Sequence, residues 1–229
     1  MGWAARLGAV LNGTELRSGA WFPIVRNARR VGQPTMLKSR AERQRHSDGR
    51  TTNDSDERPI MIYSIVKFGN PVLEKPAEPV NDFGHDLKKL VEDMFESMYA
   101  ARGVGLAAPQ IGISKRLAVI DVTFKEDPAA RLVLANPEII HKEGKQTQSE
   151  GCLSIPEFRE ELTRANRVTV RAQDVNGKWY EKTGEELLAR AFLHETDHLN
   201  GKLYITHLSA LKRDLMKRKI RKLMKAGQW

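Results

Sequence analysis

The spacing of hydrophobic residues predicts a helix near the start of the foldable part of the chain. Leucine, valine and methionine recur between Leu87 and Met98 at intervals typical of one face of an α-helix. Asn81 and Asp82 precede this run as candidate helix caps, and Gly103 follows it as a stop signal. Residues 103–110 contain too much glycine and proline for a helix, so we expect a shaped loop there.

Downstream patterns predict strands first and helices later. Residues 117–122, 131–135 and 168–173 read as strands, and Asn176-Gly177 reads as a hairpin turn before Trp179. Two helices are then expected, over 184–200 with Gly201 as the stop and over 208–225. Because strands and helices do not alternate regularly, the predicted fold class is α+β.

The first 60 residues show no such pattern. Residues 40–58 are polar and charged with almost nothing to bury, so we expect disorder there. Residues 1–60 fit an organelle transit peptide, a basic arm or a segment that is not translated because the protein starts at Met61. The predicted organisation is therefore a disordered or non-native extension, 1–60, and a catalytic domain, 61–229.

Charge, hydropathy and cysteine content exclude some classes of protein and favour others. The 229 residues include 38 Lys and Arg against 29 Asp and Glu, and the formal net charge of +9 favours an acidic partner such as nucleic acid. No apolar run approaches the roughly 18–20 residues of a membrane span, which excludes an integral membrane protein. Cys152 is the one cysteine, which excludes an intramolecular disulfide and favours a reducing compartment.

The strongest chemical signal lies in the second predicted helix. His194 and His198 are four residues apart, so both imidazoles project from one helix face with Glu195 beside them. This His-Glu-x-x-His spacing is typical of a metal site with an adjacent proton acceptor. Apolar neighbours around Ala191 indicate a buried helix, where two unpaired histidines would be costly. The alternative is a chance pair of surface histidines.

A catalytic metal needs a third protein ligand and an open position. His207 lies beyond Gly201, in a region that reads as strand or turn. Cys152 lies between Gly151 and Leu153 in a constrained segment, although a lone cysteine is more often a small buried hydrophobe. Two histidines and Cys152 would leave one coordination position open.

Three segments together carry a family resemblance. GVGLAAPQ (103–110), EGCLS (150–154) and HETDH (194–198) resemble, in order and spacing, the three motifs of peptide deformylases. Residues from Met61 resemble the start of a bacterial deformylase, and the resemblance spans 61–229. It implies an α+β fold with mainly antiparallel sheets around a central metal-binding helix and a basic carboxy-terminal helix.

The resemblance also implies an activity and a set of roles. The activity is hydrolysis of the formyl group from N-formylmethionine at the start of newly made proteins, with release of formate. One divalent ion is expected on Cys152, His194 and His198, with ferrous iron as the cellular ion and zinc, nickel or cobalt as alternatives. Glu195 is expected to act as general base and then general acid.

Further site residues follow from the same motifs. By resemblance, the Gln110 side-chain amide and the Leu153 backbone N–H stabilise the oxyanion. The structural alternatives for the expected substrate-binding residues are core packing, a loop or a salt bridge. The six residues that we expect to bind the substrate are Gly103, Val104, Gly105, Glu150, Leu187 and Ala191.

The predicted partners are nascent N-formylmethionyl polypeptides and the ribosome. The carboxy-terminal helix carries many Lys and Arg residues and is similar to the ribosome-docking helix of bacterial deformylases, although such a run is usually a solvated face. We expect a monomer without membrane contact in the cytoplasm, or in an organelle if 1–60 is a transit peptide. The rival hypotheses are a zinc endopeptidase and a basic nucleic-acid-binding protein with an incidental metal site.

Overall fold

The computed structural model describes residues 59–229. The disorder expected for 40–58 and nearly all of the extension therefore lie outside the described residues. Within the described range the helices are α1 (His85–Ala100), α2 (Glu186–Leu199) and α3 (Ala210–Lys225). The strands are β1 (Gly105–Ala107), β2 (Leu117–Ile120), β3 (Leu132–Glu143), β4 (Gln146–Cys152), β5 (Ile155–Arg164), β6 (Arg167–Gln173) and β7 (Trp179–Glu185).

The strands form two antiparallel units. A five-stranded sheet has the order β1-β2-β3-β6-β7, and β4 pairs with β5 in a separate hairpin. Each strand in these units is antiparallel to its neighbour. The prediction of an α+β fold with mainly antiparallel sheets is therefore confirmed.

The five-stranded sheet is covered by a helix on each face. Successive side chains of a strand point to opposite faces. In β2, Ala118 and Ile120 accordingly join the apolar cluster of α2, whereas Leu117 and Val119 join the cluster of α1. This double burial explains why the β2 sequence is continuously apolar rather than alternating.

A third apolar cluster holds α3 against the β4–β5 hairpin. Met216 and Ile220 of α3 are buried there with Cys152 and Ile155. Leu211 and Leu215 of the same helix are 71% and 48% exposed. α3 therefore packs on the hairpin through Met216 and Ile220 rather than through these two leucines.

Helix boundaries differ from the predictions where side chains cap turns rather than helices. The residue that caps α1 is Gly84, and Asp82 instead accepts a hydrogen bond from the Gly84 N–H (2.9 Å). The helix predicted from residue 184 begins at Glu186, because Gly184 still pairs with Val168 in the sheet. A Cβ at Gly184 would lie 2.6 Å from Leu188 Cγ, so glycine permits this tight strand-to-helix joint.

Two other predictions underestimated strand structure. Residues 103–110 are not simply a loop, since they include β1 and the 3₁₀-helix Ala108–Ile111. β3 continues past the predicted end at residue 135, because a register shift around Asn136 (φ +50°) accommodates Pro137.

None of the helices within residues 59–229 has the length and apolar character required to cross a membrane.

Candidate metal and catalytic site

The site is built on the buried face of α2. His194, Glu195 and His198 are 2%, 1% and 1% exposed. The helix presents the two imidazoles one turn apart, with ring centroids 4.9 Å from each other. Both rings therefore face the same interior region, as their spacing predicts.

Cys152 meets these histidines from the end of β4. Its Sγ lies 3.2 Å from His198 Nε2, although 46 residues separate them along the chain. One ligand atom from each of Cys152, His194 and His198 falls within a common span of 4.8 Å. Ligands that are about 2.0–2.3 Å from one ion fit within such a span, and the soft sulfur and two imidazoles suit a transition metal. The donor set therefore fits one divalent ion.

Glu150 fixes the orientation of His194. One carboxylate oxygen of Glu150 lies 2.8 Å from His194 Nδ1, so Nε2 is the nitrogen that would bind an ion. The expected role of Glu150 in substrate binding does not fit its surroundings, because its side chain is 0% exposed. It lies beneath the histidine and has no surface to offer a substrate.

Two arginines that sequence reasoning missed surround Glu150. Arg190 Nη1 donates to Glu150 Oε2 (2.7 Å), and Arg164 donates to both oxygens (3.0 and 2.6 Å). The signal for Arg190 was present, since it is the single charge within the apolar run 187–193 of α2. A charged residue in such a position requires a buried partner. Arg164 gives no comparable local signal.

Burial and neighbouring groups shift the pKa values of the two histidines in opposite directions. Burial lowers the pKa of His194, but its hydrogen bonds to Cys152 and Glu150 outweigh burial and raise the pKa well above its usual value. Burial and the neighbouring His194 charge lower the pKa of His198 well below its usual value.

Glu195 is a buried carboxyl group beside the candidate ligands. In the part of the chain that the structure describes, neither of its side-chain oxygens is hydrogen-bonded. Burial raises its pKa to about 7, partly opposed by His194. A buried carboxyl group with a raised pKa beside three candidate ligands is a candidate for proton transfer.

Gln110 and Leu153 lie beside Cys152. Gln110 is 1% exposed, its Oε1 accepts from the Ala107 N–H (2.9 Å), and its Nε2 donates towards Cys152 Sγ (3.5 Å) and Ser154 Oγ (3.4 Å). The amide is thereby held with its donor end towards the sulfur. Leu153 follows Cys152 at the tip of the β4–β5 hairpin, where a tight turn leads into β5.

The remaining substrate candidates gather around β1 and α2. Val104 and Ala191 are fully buried in one apolar cluster, and Leu187 packs against it while partly exposed. Gly103 and Gly105 flank Val104, and Gly105 begins β1, an edge strand of the sheet. The structure thus brings the four candidates other than Gly103 together near α2.

Asp197, His207 and Arg159 make defined contacts around the site. Asp197 lies 2.7 Å from Arg164 Nη1 and 2.8 Å from His207 Nε2, so it links the arginine network to the 3₁₀-helix Tyr204–His207. His207 is therefore not part of the ligand cluster. Arg159 donates to the Ser149 hydroxyl (3.2 Å) and carbonyl (3.3 Å), which ties β5 to β4 beside the metal loop.

Replacing Gly105 with alanine is expected to displace Glu195. A Cβ at Gly105 would overlap Glu195 Oε1 and lie 2.9 Å from its Cδ. Because a misplacement of about 1 Å can lower a catalytic rate about 100-fold, we expect Gly105→Ala to lower kcat by about that factor with metal content unchanged. Steady-state kinetics with metal analysis measure this. Gly84→Ala, at the start of α1, is the matched control; equal kcat values for the two variants would contradict the prediction.

Comparisons with known proteins agree with this geometry. A protein-family model described as polypeptide deformylase matches residues 62–214. A peptide deformylase from Acidobacterium capsulatum is 62% identical over 170 residues, which are 74% of this chain and 100% of that protein. One from Heliobacterium modesticaldum is 51% identical over 146 residues, or 64% of this chain and 93% of that protein.

Solved structures show the same similarity. A peptide deformylase from Legionella pneumophila superposes with a TM-score of 0.67 at 46% identity, covering 72% of this chain and 97% of that one. The enzyme from Thermus thermophilus gives a TM-score of 0.66 at 43% identity, covering 73% of this chain and 98% of that one. The chain therefore belongs to the polypeptide deformylase family, metal-dependent hydrolases that remove the formyl group from amino-terminal methionine.

Proposed function

We propose that this chain deformylates nascent proteins with Glu195 as the proton-transferring group and with Cys152, His194 and His198 as the metal ligands. The observation that carries this proposal is the unbonded Glu195 carboxyl group beside three buried residues whose ligand atoms lie within 4.8 Å. When a divalent ion is bound there, it supplies Lewis acidity that makes a nearby water easier to deprotonate and a carbonyl easier to attack.

Glu195 moves one proton through the reaction. Its carboxylate accepts a proton from the attacking water and then donates it to the nitrogen of the breaking formyl C–N bond. The water oxygen ends in formate, and the methionine nitrogen leaves as a free amine. The absence of a hydrogen-bond partner for Glu195 within residues 59–229 supports this role, because both oxygens remain able to accept a proton.

Gln110 and Leu153 stabilise the negative charge on the former formyl oxygen. The Gln110 amide is already held by the Ala107 N–H, so its donor end needs no reorganisation during the reaction. The Leu153 N–H is the backbone donor that follows Cys152 directly. Two fixed donors beside the sulfur are suited to a developing oxyanion.

The substrate binds along the edge of the sheet at β1. Gly103 and Gly105 allow a peptide backbone to approach closely and pair as an added strand. Val104, Leu187 and Ala191 supply apolar surface for a methionine side chain. Glu150 orients His194 through its contact with Nδ1 and does not touch the substrate.

Ferrous iron is the ion that we propose for the cell, with zinc, nickel or cobalt as possible occupants. A Cys-His-His set accepts all four, so cellular supply decides between them. The test is metal analysis of protein purified without oxygen, followed by formate release from a formyl-Met peptide. We expect iron in the purified protein and a faster rate with iron than with zinc. Anaerobic protein that contains only zinc and turns over fastest with zinc would contradict this choice.

The basic face of α3 is proposed to dock on ribosomal RNA. Arg218, Lys219 and Lys222 are exposed on a helix whose opposite face is buried through Met216 and Ile220. Phosphate groups attract such a face, and the attraction weakens with salt. We further propose that the enzyme acts as a monomer, because one chain supplies all the proposed ligands and the proton-transferring group. We also propose that it acts in the cytoplasm.

Reversing two of these charges is expected to weaken ribosome binding. Arg218→Glu with Lys222→Glu replaces attraction to phosphate with repulsion, so the fraction that sediments with ribosomes falls at low salt. The matched control reverses Lys142 and Lys145, which are exposed on the β3–β4 side. Equal sedimentation of both double variants would refute the docking role of α3.

A further inference from the structure

One short segment connects the two parts of the chain that carry the proposed oxyanion donors. The Val66 N–H donates to the Gln110 carbonyl oxygen (2.7 Å). Two residues later, the Phe68 N–H donates to the Ser154 carbonyl oxygen (2.8 Å). Gln110 carries one proposed donor on its side chain, and Ser154 directly follows Leu153, which carries the other. Because two residues of chain span at most about 7 Å, this segment limits the distance between the two backbones.

The segment 66–68 is not held by a sheet or a helix. Residues 61–70 lie outside every helix and strand of the described range 59–229. The side chains of Val66 and Phe68 are half-buried and pack against the apolar cluster that holds α3. The position of the segment therefore depends on individual side-chain contacts.

Trp229 provides two contacts of this kind. Its indole Nε1–H donates to the Phe68 carbonyl oxygen (3.0 Å), on the same residue whose N–H binds Ser154. Its ring packs edge-on against Phe158, with ring centroids 6.1 Å apart. Lys67 Nζ lies 5.8 Å from the centroid of the indole ring. The tryptophan therefore contacts the segment through both its N–H and its ring.

The end of α3 reaches the turn that follows this segment. A Cβ at Gly69 would lie 2.9 Å from Met224 Cε, so the last turn of α3 lies directly against residue 69. Met224 and Trp229 thus approach the same short stretch of chain. Both residues lie outside the range 62–214 that the family model matches, so the family match assigns neither of them a role.

We propose that Trp229 is a positioning residue for deformylation, which holds the segment 66–68 and, through it, the two oxyanion donors. Gln110 and Leu153 can share the charge of one oxygen atom only if both lie at hydrogen-bond distance from it. Without the indole N–H, the Phe68 carbonyl oxygen loses this donor and the segment can shift. The inference rests on the oxyanion roles that we propose for Gln110 and Leu153.

Trp229→Phe in the full chain loaded with iron tests this role. Phenylalanine keeps an aromatic ring but removes the N–H. Oxyanion donors act on the transition state rather than on the bound substrate, so we expect kcat to fall about 10-fold with KM unchanged. This loss is smaller than the roughly 10²–10³-fold cost of removing an oxyanion donor outright. Steady-state kinetics of formate release, with metal analysis of the same sample, measure it.

The matched control is Tyr180→Phe. The Tyr180 hydroxyl donates to the Val133 carbonyl oxygen (2.6 Å), so this variant also removes one side-chain donor from a backbone carbonyl and keeps the ring. We expect a parent-like kcat for the control. Equal kcat values for Trp229→Phe and Tyr180→Phe overturn the proposal, and so does a rise in KM without a fall in kcat.

A double-mutant cycle with Gln110→Met distinguishes positioning from general destabilisation. Methionine has a similar length but no amide donor. If Trp229 acts through the oxyanion donors, Trp229→Phe lowers kcat less in the Gln110→Met background than in the parent, whereas independent effects multiply. When Gln110→Met itself lowers kcat, multiplying losses overturn the role of Trp229. A parent-like kcat for Gln110→Met overturns the oxyanion role of Gln110 instead, and the comparison with Tyr180→Phe then decides the role of Trp229.

Discussion

Glu195→Gln is expected to lower kcat for deformylation by about 10²–10⁴-fold, the usual contribution of a positioned general acid–base group. Glutamine keeps the size of the side chain but cannot take a proton from water or return it to the leaving nitrogen. The metal content should stay at the parent level, because Glu195 is not one of the three clustered ligand residues. Steady-state kinetics and metal analysis on the same sample measure both quantities.

The matched control for this variant is Glu185→Gln. Glu185 lies at the start of α2 with its side chain 60% exposed, so its replacement removes the same charge outside the site. We expect parent-like kcat for this control. If Glu195→Gln keeps its metal and turns over like the control, Glu195 does not carry the proton.

Glu150→Gln is expected to lower the free energy of unfolding by about 3–5 kcal/mol, the usual cost of removing one partner from a buried ion pair. The Glu150 and Arg190 side chains are both 0% exposed, and Arg164 is 6% exposed. Glutamine fills the same volume, so the loss reports the charge rather than a cavity. Urea denaturation of metal-free protein measures it without a contribution from metal binding.

Glu160→Gln supplies the comparison for this loss. Glu160 pairs with Lys212 at 2.9 Å, but the lysine side chain is 50% exposed. Exposed ion pairs contribute little to stability, so we expect Glu160→Gln to unfold at the same urea concentration as the parent protein. Equal transitions for Glu150→Gln and Glu160→Gln would show that the buried network does not hold the fold together.

Local spacing made one half of the site predictable. His194, Glu195 and His198 lie on one helix, so their relation follows from helix geometry alone. Cys152 reaches them through the β4–β5 hairpin, and no local pattern encodes that approach. Before the structure, Cys152 was connected to the helix by the need of a catalytic metal for a third ligand and by the resemblance of three separate motifs.

Fold predictions failed where tertiary contacts override local patterns. Residues 146–164 form a hairpin with much polar surface, so the alternation that marks a half-buried strand is weak there. Pro137 interrupts β3 in the sequence but is accommodated by a bulge. The partner of Arg190 could not be identified from local sequence, because Glu150 is 40 residues away.

Mass spectrometry of a formyl-Met peptide after incubation with the full chain, loaded with iron without oxygen, tests the central claim most directly. The substrate offers a formyl amide and several internal peptide bonds, so one sample distinguishes a deformylase from an endopeptidase. We predict one formate for each new free α-amine, with every internal bond intact. Cleavage of internal bonds, or no formate from protein that holds its metal, would contradict the account.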